Sequence, residues 1–512
     1  MTRLLRPLAA AAAVIGAASL GAYAVSPDAE PLVPKPVAAA AVPAPPAPAA
    51  PAAKPADLKY AVDPKPLGDP VKKGLKYLAD NQQADGGWAQ GGGWRTGGNG
   101  GRIEGKDVAD PSDVGNSCIA LLAFLRAGNT PTQGDYKDVV RKGLRFVCNT
   151  VEKAGTDDLY VTDVRNTQLQ SKIGPFADTF LSTLVLSEMK GKGGDDEKRL
   201  VACLDKTITK IAKHQKDDGT FANNGGWAPV LSQGVANKAL ARARLNGAPV
   251  SDATFARATK NSVDSAKGVA TTGVTAATGS VDVVAIRSSV VPTAGPAAPV
   301  SPGGPGMAAS RSATIGGAFK GDAGVPLYSL SQGVTNGQDV LNSVNADAEK
   351  AKRVIADPKA SKDEKQAAQK TLEQRDELAK ENVAAQSQAA GQFRNPDFVR
   401  GFGSNGGEEF LSFLNISEMM VVKGGTEWKE WDGKMQDTVP KAQDKDGSWS
   451  GHHCITGKTF CTSAALLVLL ADRTQFPDDV IKAAREDARK AAEVKAAEEK
   501  KAAEEKKVEE KK

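Results

Sequence analysis

The segment KGLKYLADNQQADGGW at residues 73–88 decides the fold, because pieces of it recur along the chain. Its first six positions recur as KGLRFV at 142–147. Its last positions recur as QKDDGTF at 215–221 and as QDKDGSW at 443–449. Self-similarity of this kind indicates that one supersecondary unit is repeated and that neighbouring copies bury each other's apolar faces.

A second recurring theme is an apolar helical segment that follows a polar, glycine-rich loop. The sequence LSQGVAN at 231–237 recurs as LSQGVTN at 330–336, and FLSTLVLSEM at 180–189 recurs as FLSFLNISEM at 410–419. Six such segments begin near Asp113, Phe176, Trp227, Tyr328, Glu408 and Lys458. More amphipathic segments precede them, at about 70–83, 135–152, 195–215, 251–266, 346–391 and 426–443.

The alternation of these segments predicts the architecture. A helix that is apolar on nearly all sides must be buried, whereas its amphipathic partner can face solvent. Six hairpins of this kind predict an all-α fold, an (α/α)6 toroid of alternating inner and outer helices. Closing the ring covers the end repeats that an open solenoid would have to cap.

Composition indicates that part of the chain lies outside this core. The 512 residues include 52 Gly and 29 Pro and only 5% aromatics. The net charge of +5 is small for such a length, and no basic stripe or recognition motif occurs, so we expect no nucleic-acid partner. We place the toroid at 67–475, with a Pro/Ala-rich linker at 25–66, a low-complexity insertion at 268–325, a charged helical insertion at 346–391 broken at Pro358, and an Ala/Glu/Lys-rich tail at 476–512.

The N-terminus predicts export to the periplasm or the extracellular space. Arg3 and Arg6 precede an apolar run from Leu8 to Val25, and AYA at 22–24 fits a small-residue cleavage site. The pattern predicts a signal peptide at 1–24. An uncleaved anchor is the alternative, because the run is at the lower limit for spanning a bilayer. Any membrane association would then pass through this N-terminal segment.

The first repeat resembles the QW repeat of the squalene–hopene cyclase family. The residues that carry the resemblance are Lys73, Gly74, Tyr77, Leu78, Gln82, Gly86 and Trp88. Other members of the superfamily with the same toroid are protein prenyltransferase β subunits and complement-type thioester domains. The resemblance implies that Gln and the following aromatic residue form structural pairs: Gln82 with Trp88, Gln215 with Phe221, and Gln443 with Trp449.

The reactive signatures of these relatives do not occur in the sequence. There is no DxDD acid of the cyclases, no GCGEQ thioester segment and no Asp-x-Cys zinc pair of the prenyltransferases. We therefore expect a non-catalytic ligand- or protein-binding toroid without a cofactor or metal. The alternatives are a divergent terpenoid cyclase, a prenyltransferase-like or carbohydrate-active enzyme using the central cavity, and a structural role in tethering at the envelope. The expected partner is a small hydrophobic or polysaccharide ligand, or an envelope protein.

Polar residues near the starts of the inner helices are candidates for a cavity or rim site. They are Asp113, Asn116, Asp178, Gln233, Gln332, Glu408 and Glu409, together with His452 and His453. Helix capping requires the same residue types and is the alternative interpretation for those at helix starts. Asp113 and Asp178, with Glu408 or Glu409, would supply a carboxylate pair for glycoside or lyase chemistry. The glycine-rich loop at 86–105 is either a rim loop or a lid over a ligand.

Cysteines offer a few further candidates. Cys454 and Cys461 are spaced for a disulfide that closes a short loop, although His452, His453 and these thiols are also metal-ligand types. Cys118 begins an inner helix, where a low pKa would favour a nucleophile, but a buried structural role is the simpler interpretation. Cys148 and Cys203 lie on successive outer helices and either pair or pack.

Overall fold

Helices dominate the chain. The structure is a computed structural model and describes residues 58–95, 101–103, 109–226, 228–272, 324–395, 406–452 and 454–509. The predicted signal peptide, most of the linker and most of the 268–325 insertion lie outside these ranges, as do Trp227 and His453. All described residues belong to one compact unit, Ala49–Lys512.

The described residues form fourteen α-helices and four short strands. The helices are α1 (Asp69–Asp80), α2 (Val114–Arg126), α3 (Lys137–Lys153), α4 (Gln168–Ile173), α5 (Ala177–Met189), α6 (Glu197–His214), α7 (Pro229–Leu245), α8 (Asp252–Thr272), α9 (Gly324–Ala356), α10 (Lys362–Phe393), α11 (Gly407–Lys423), α12 (Gly425–Lys441), α13 (Lys458–Leu469) and α14 (Asp478–Glu509). The strands are β1 (Leu58–Tyr60), β2 (Gly93–Arg95), β3 (Gly101–Ile103) and β4 (Gln475–Pro477). The all-α class predicted from the sequence is confirmed.

The six apolar segments are the buried helices α2, α5, α7, α9, α11 and α13. Helices α2, α5 and α13 each bury all but one of their residues, as expected for segments that are apolar on nearly every side. Helix α2 packs against α5, α5 against α7, α7 against α9, α9 against α11, α11 against α13, and α13 against α2.

The amphipathic segments pack outside these helices. Helix α1 contacts α13 and α2, α3 contacts α2 and α6, α6 contacts α5, α8 and α10 contact α9, and α12 contacts α11 and α13. In α3 the buried positions Val140, Gly143, Leu144, Val147 and Val151 follow the three- and four-residue spacing of one helical face. That stripe explains why the KGLRFV copy forms an outer helix.

The tryptophan of the repeat packs on the glycine of another copy. Trp88 is fully buried, and its ring lies against Gly143, where an added Cβ would come within 2.8 Å of it. Trp449 lies in the same way against Gly74, at 2.9 Å from such a Cβ. Both indole N–H groups donate to a carbonyl of the helix before the turn, at 2.7 and 2.8 Å. The KGL and GGW or GSW pieces recur because they form complementary surfaces.

The glutamine of the repeat ties its own turn to the next copy. Gln82 Nε2 donates to the carbonyl of Gly86 in its turn at 2.8 Å and to that of Val139 at 2.9 Å. Gln443 Nε2 donates to the carbonyl of its own Asp-Gly turn and to that of Pro70, both at 2.9 Å. The last copy therefore binds the start of the first in the way that the first binds the second.

The copy at 215–221 keeps the packing of the turn glycine but not the hydrogen bonds of the glutamine, since Gln215 Nε2 has no partner among the described residues. Phe221 is buried in place of tryptophan, and Gln215 Oε1 accepts from Arg257 Nε at 3.1 Å. A Cβ added to Gly219 would lie 2.3 Å from the Arg257 carbonyl, and one added to Gly86 would lie 2.5 Å from that of Lys142. Each of these turn glycines also has a positive φ, so the Asp-Gly turn accepts no larger residue there.

Three segments that we assigned to polar attachments contribute to the packed body. Residues 58–60 form β1, which pairs antiparallel with β4, so the last part of the predicted linker is anchored to the chain's C-terminal part. The 346–391 segment is helical with a break at Pro358, but its first part continues α9 and its second part is α10, packed on α9. The tail begins with buried Val480, Ile481 and Ala484, an apolar contact that the Ala/Glu/Lys composition obscured.

Candidate functional site

The two acidic residues predicted at the starts of inner helices bind helix N-termini. Asp113 is the N-cap of α2, and its carboxylate accepts from the backbone N–H of Asn116 at 2.8 Å and from Asn116 Nδ2 at 2.7 Å. Asp178, in the first turn of α5, accepts from Gln170 Nε2 at 2.6 Å and from the backbone of Gly115. Both carboxylates lie beside Gly115: a Cβ added there would be 3.0 Å from Asp178 Oδ1 and 3.7 Å from Asp113 Oδ1.

Burial changes the protonation of this pair. Asp113 and Asp178 are 6% and 2% exposed. Burial, together with the nearby charge of Asp178, raises the pKa of Asp113 to about 7. Burial also raises the pKa of Asp178, although hydrogen bonds from Gln170 and Gly115 oppose that effect. A carboxyl group that keeps its proton near neutral pH is chemically able to donate one, but its hydrogen bonds here serve the α2 N-terminus.

The other predicted polar residues also make local structural contacts. Gln233 Nε2 donates to the Gly219 carbonyl at 3.0 Å, and Gln332 Nε2 donates to Asn336 Oδ1 at 2.9 Å. Gln332 of α9 also packs so closely on Gly234 of α7 that an added Cβ would overlap it, so the glycine of the first LSQG copy makes room for the glutamine of the second. Glu408 accepts from the backbone of Ile455 at 3.1 Å, and Glu409 is buried in the same first turn of α11.

The loop before α13 does not contain the disulfide that we predicted. Cys461 is a buried free thiol whose Sγ donates to the Ile455 carbonyl at 3.3 Å, so the Cys454–Cys461 bond is not formed in this structure. A buried thiol bonded to a backbone carbonyl satisfies the site without oxidation. His452 is exposed, and His453 lies outside the described residues.

The remaining cysteines are buried thiols. Burial raises the pKa of Cys118, whose Sγ lies 3.6 Å from Ser182 Oγ, so the thiolate required of a nucleophile is disfavoured. Cys148 and Cys203 lie together between α3 and α6 and are not bridged; Cys203 Sγ donates to the Cys148 carbonyl at 3.8 Å. In the part of the chain that the structure describes, no three His, Cys, Asp or Glu side chains are arranged to hold a metal ion.

A buried network of charged side chains lies toward the C-terminal ends of the buried helices, and the sequence reasoning missed it. Arg126 of α2 forms ion pairs with Glu188 of α5 at 2.7 Å and with Glu418 of α11 at 2.9 Å. Glu188 and Glu418 occupy the same position of the repeated sequence LSEM and ISEM. Both copies of this otherwise apolar repeat contain a glutamate at the same position. That recurrence indicates a buried cation between the two copies.

Helices α7 and α9 complete this ion network. Lys238 pairs with Glu418 and lies 3.6 Å from Asp339 Oδ2, while Arg242 Nη2 lies 3.5 Å from Asp339 Oδ1. Three cations therefore meet three carboxylates, all of them largely buried. Burial alone would raise the pKa of Glu418, but Lys238, Arg126 and Arg242 lower it well below its usual value. The cations therefore favour the charged form of Glu418, whereas burial raises the pKa of Asp339 despite Lys238 and Arg242.

A cleft opens directly beside the ion network. Its volume is 240 Å³, and its walls are the C-terminal ends of α2, α5 and α7 together with β1 and β4. Arg126, Glu188 and Arg242 of the network reach its wall, and Lys192 and Arg473 add two further cations. The apolar part of the lining includes Leu58, Tyr60, Leu125, Leu245 and Pro477.

The predicted residues and the cleft lie at opposite ends of the same helices. The predicted carboxylates are in the first turns of α2, α5 and α11, whereas the cleft lies where α2, α5 and α7 end. No helix in the described ranges is long and apolar enough to cross a membrane. Comparison with protein-family models, with curated proteins and with solved structures gave no match.

Proposed function

We propose that this chain is an exported, non-catalytic (α/α)6 toroid that binds a small ligand in the cleft between β1, β4 and the ends of α2, α5 and α7. The cyclic order of packing among the six buried helices supports the toroid. So does the contact of the last repeat with the first, through Gln443 with Pro70 and Trp449 with Gly74. The resemblance of residues 73–88 to the QW repeat is a separate argument for the same architecture, and export rests on residues 1–24.

The observation that carries the binding function is the cleft itself. The polar groups at the helix starts are used as caps and in local hydrogen bonds, and the central charges are paired with one another. The cleft, in contrast, exposes both cationic and apolar groups to a volume that a small molecule can fill. Concave sites with a few convergent polar groups on an apolar wall are typical of ligand binding.

The experiment is a ligand screen with a blocked cleft. Small molecules are tested for an increase in the melting temperature of the purified chain, and each hit is incubated and analysed by NMR for products. Gln133→Trp places a large ring at the exposed edge of the cleft, and Gln369→Trp, at an exposed position of α10, is the matched control. We expect hits that are recovered unchanged and that lose their effect only in Gln133→Trp. Turnover of a hit, or binding that Gln133→Trp leaves intact, would contradict the proposal.

A second candidate is an acid-catalysed reaction at the Asp113–Asp178 pair, as in a divergent cyclase. The pKa of Asp113 near 7 is the observation that favours it, because a general acid must retain its proton at working pH. Against it, both side chains are almost completely buried and make capping contacts. Incubation with isoprenoid substrates distinguishes the two: product formation that Asp113→Asn abolishes would favour the enzyme.

A further inference from the structure

The cleft carries an excess of positive charge. In the ion network, the cations Arg126, Lys238 and Arg242 are balanced by the same number of carboxylates. Lys192 and Arg473 add to the cationic side of the cleft wall. Among the residues that the structure describes, no carboxylate lies within ion-pair distance of either side chain; Arg473 Nη2 instead donates to the Lys65 carbonyl.

Arg242 has donors that the protein does not satisfy. Its side chain is 4% exposed, and Nη1 donates to the Gln475 carbonyl at 3.3 Å. Nε and Nη2 have no hydrogen-bond partner, since Asp339 Oδ1 is 3.5 Å from Nη2 and outside good geometry. A buried guanidinium with open donors is costly, and the positive charge that Arg242 brings to the cleft wall favours an anion there. Arg473 Nε is likewise buried without an acceptor.

The surroundings of Lys192 indicate the same preference. Burial lowers the pKa of Lys192, Glu188 opposes this effect, and Arg126 adds to it. An anion bound beside the ammonium group would oppose this lowering of the pKa and gain a charge-assisted hydrogen bond.

The rest of the cleft suits an organic group. Leu125, Leu245 and the strand residues Leu58 and Tyr60 supply apolar wall in the same cleft as the cations. A volume of 240 Å³ holds the equivalent of about eight water molecules at roughly 30 Å³ each. The ligand that fits is therefore a molecule of about ten heavy atoms with one anionic end.

We infer that the cleft binds a small organic anion, whose carboxylate or phosphate group is held by Lys192, Arg242 and Arg473 and whose apolar part lies against Leu125 and Leu245. This inference rests on the proposed ligand-binding function of the cleft and specifies the chemical class of the ligand. The carboxylate and the phosphate share the oxyanion geometry that guanidinium groups recognise.

The test is calorimetric titration of the full chain with benzoate, phenyl phosphate and neutral benzyl alcohol at constant ionic strength. We expect at least one anion to bind and benzyl alcohol to bind at least tenfold more weakly. Benzoate alone would identify a carboxylate site, and phenyl phosphate alone a phosphate site. Lys192→Gln and Arg473→Gln should each weaken anion binding by about tenfold or more, because each removes a hydrogen bond between charged groups. Lys441→Gln, an exposed lysine on α12, is the matched control and should bind as the wild type does.

Three results would overturn the inference: no binding of either anion, equal binding of benzyl alcohol, or unchanged affinity in both Lys192→Gln and Arg473→Gln. The melting temperature of each variant establishes that it is folded. Lys192 is partly exposed at the cleft, so we expect Lys192→Gln to disturb the fold less than Arg473→Gln does. If neutral molecules bind and Gln133→Trp blocks them, the cleft is a ligand site without the anionic preference. That result would refute this inference and leave the proposed function in place.

Discussion

The packing of Trp88 on Gly143 predicts opposite effects of the same substitution at two helical glycines. Gly143 of α3 is buried, and an added Cβ would lie 2.7 Å from Leu121 Cδ2 and 2.8 Å from Trp88 Cζ3. Gly433 of α12 is exposed, with no atom within 4 Å of such a Cβ. Both are inside helices, so Gly→Ala gains the same helix propensity, about 1 kcal/mol, at each position.

The difference between the two variants isolates the packing contribution. An added methyl group in a well-packed core costs about 1–3 kcal/mol. We therefore expect Gly433→Ala to raise the free energy of unfolding by about 1 kcal/mol. Gly143→Ala should be about 1–3 kcal/mol less stable than Gly433→Ala, and at or below the wild type. Urea unfolding followed by circular dichroism measures both. If Gly143→Ala were as stable as Gly433→Ala, the proposed role of this glycine in the repeat would be wrong.

Three further predictions test the charged and thiol groups. Glu418→Gln should lower the free energy of unfolding by about 3–5 kcal/mol, because it leaves Arg126 and its neighbouring cations partly unpaired. Folding lowers the pKa of Glu418, so the loss of unfolding free energy in Glu418→Gln should be constant above the ordinary pKa of 4.5 and shrink as the pH falls below it. A loss that does not change with pH would contradict the pairing. The pKa of Asp113 is instead raised from 3.8 to about 7, so ionisation of this group opposes folding as the pH rises through that window. Asp113→Asn should therefore become more stable relative to the wild type as the pH rises from about 4 to about 7. A difference in the free energy of urea unfolding that does not change with pH would refute this prediction. Thiol titration of the chain unfolded without reductant should count all five cysteines as reduced; a count lower by two, with the bond mapped to Cys454 and Cys461 by peptide mass spectrometry, would restore the predicted disulfide.

The helices were predictable because each carries its own pattern. Helices that are apolar throughout and helices with one apolar stripe differ in sequence, so both kinds were located without tertiary information. The contact between Trp88 and Gly143 was not predictable from periodicity, although the recurrence of KGL and GGW indicated that the two pieces belong together. Segments without a clear pattern were assigned too simply: Leu58 and Tyr60 form a strand because a partner strand at 475–477 is available.

The sequence pointed to the helix starts, at the opposite end from the cleft, for a physical reason. Asp, Asn and Gln at helix starts satisfy backbone N–H groups, and the sequence does not show whether such a residue caps a helix or faces a ligand. The cleft depends on contacts between residues far apart in sequence, such as Arg126 with Glu418 and Arg242 with Gln475. Charged residues inside apolar helices were visible in the sequence, but their pairing required the three-dimensional arrangement.

The two ends of the buried helices differ chemically because their backbones do. Helix N-termini present N–H groups and are satisfied here by carboxylates and amides such as Asp113. Helix C-termini present carbonyls with partial negative charge, which favour cations. Arg126 and Arg242 lie in the last turns of α2 and α7, where this polarity places them beside one another, and Glu188 and Glu418 neutralise the resulting charge. The cations that pair with these carboxylates are explained by their contribution to the stability of the fold. Among the described residues, no carboxylate pairs with Lys192 or Arg473, both of which line the open cleft, so these two are the residues in which ligand binding and fold stability can best be separated by mutation.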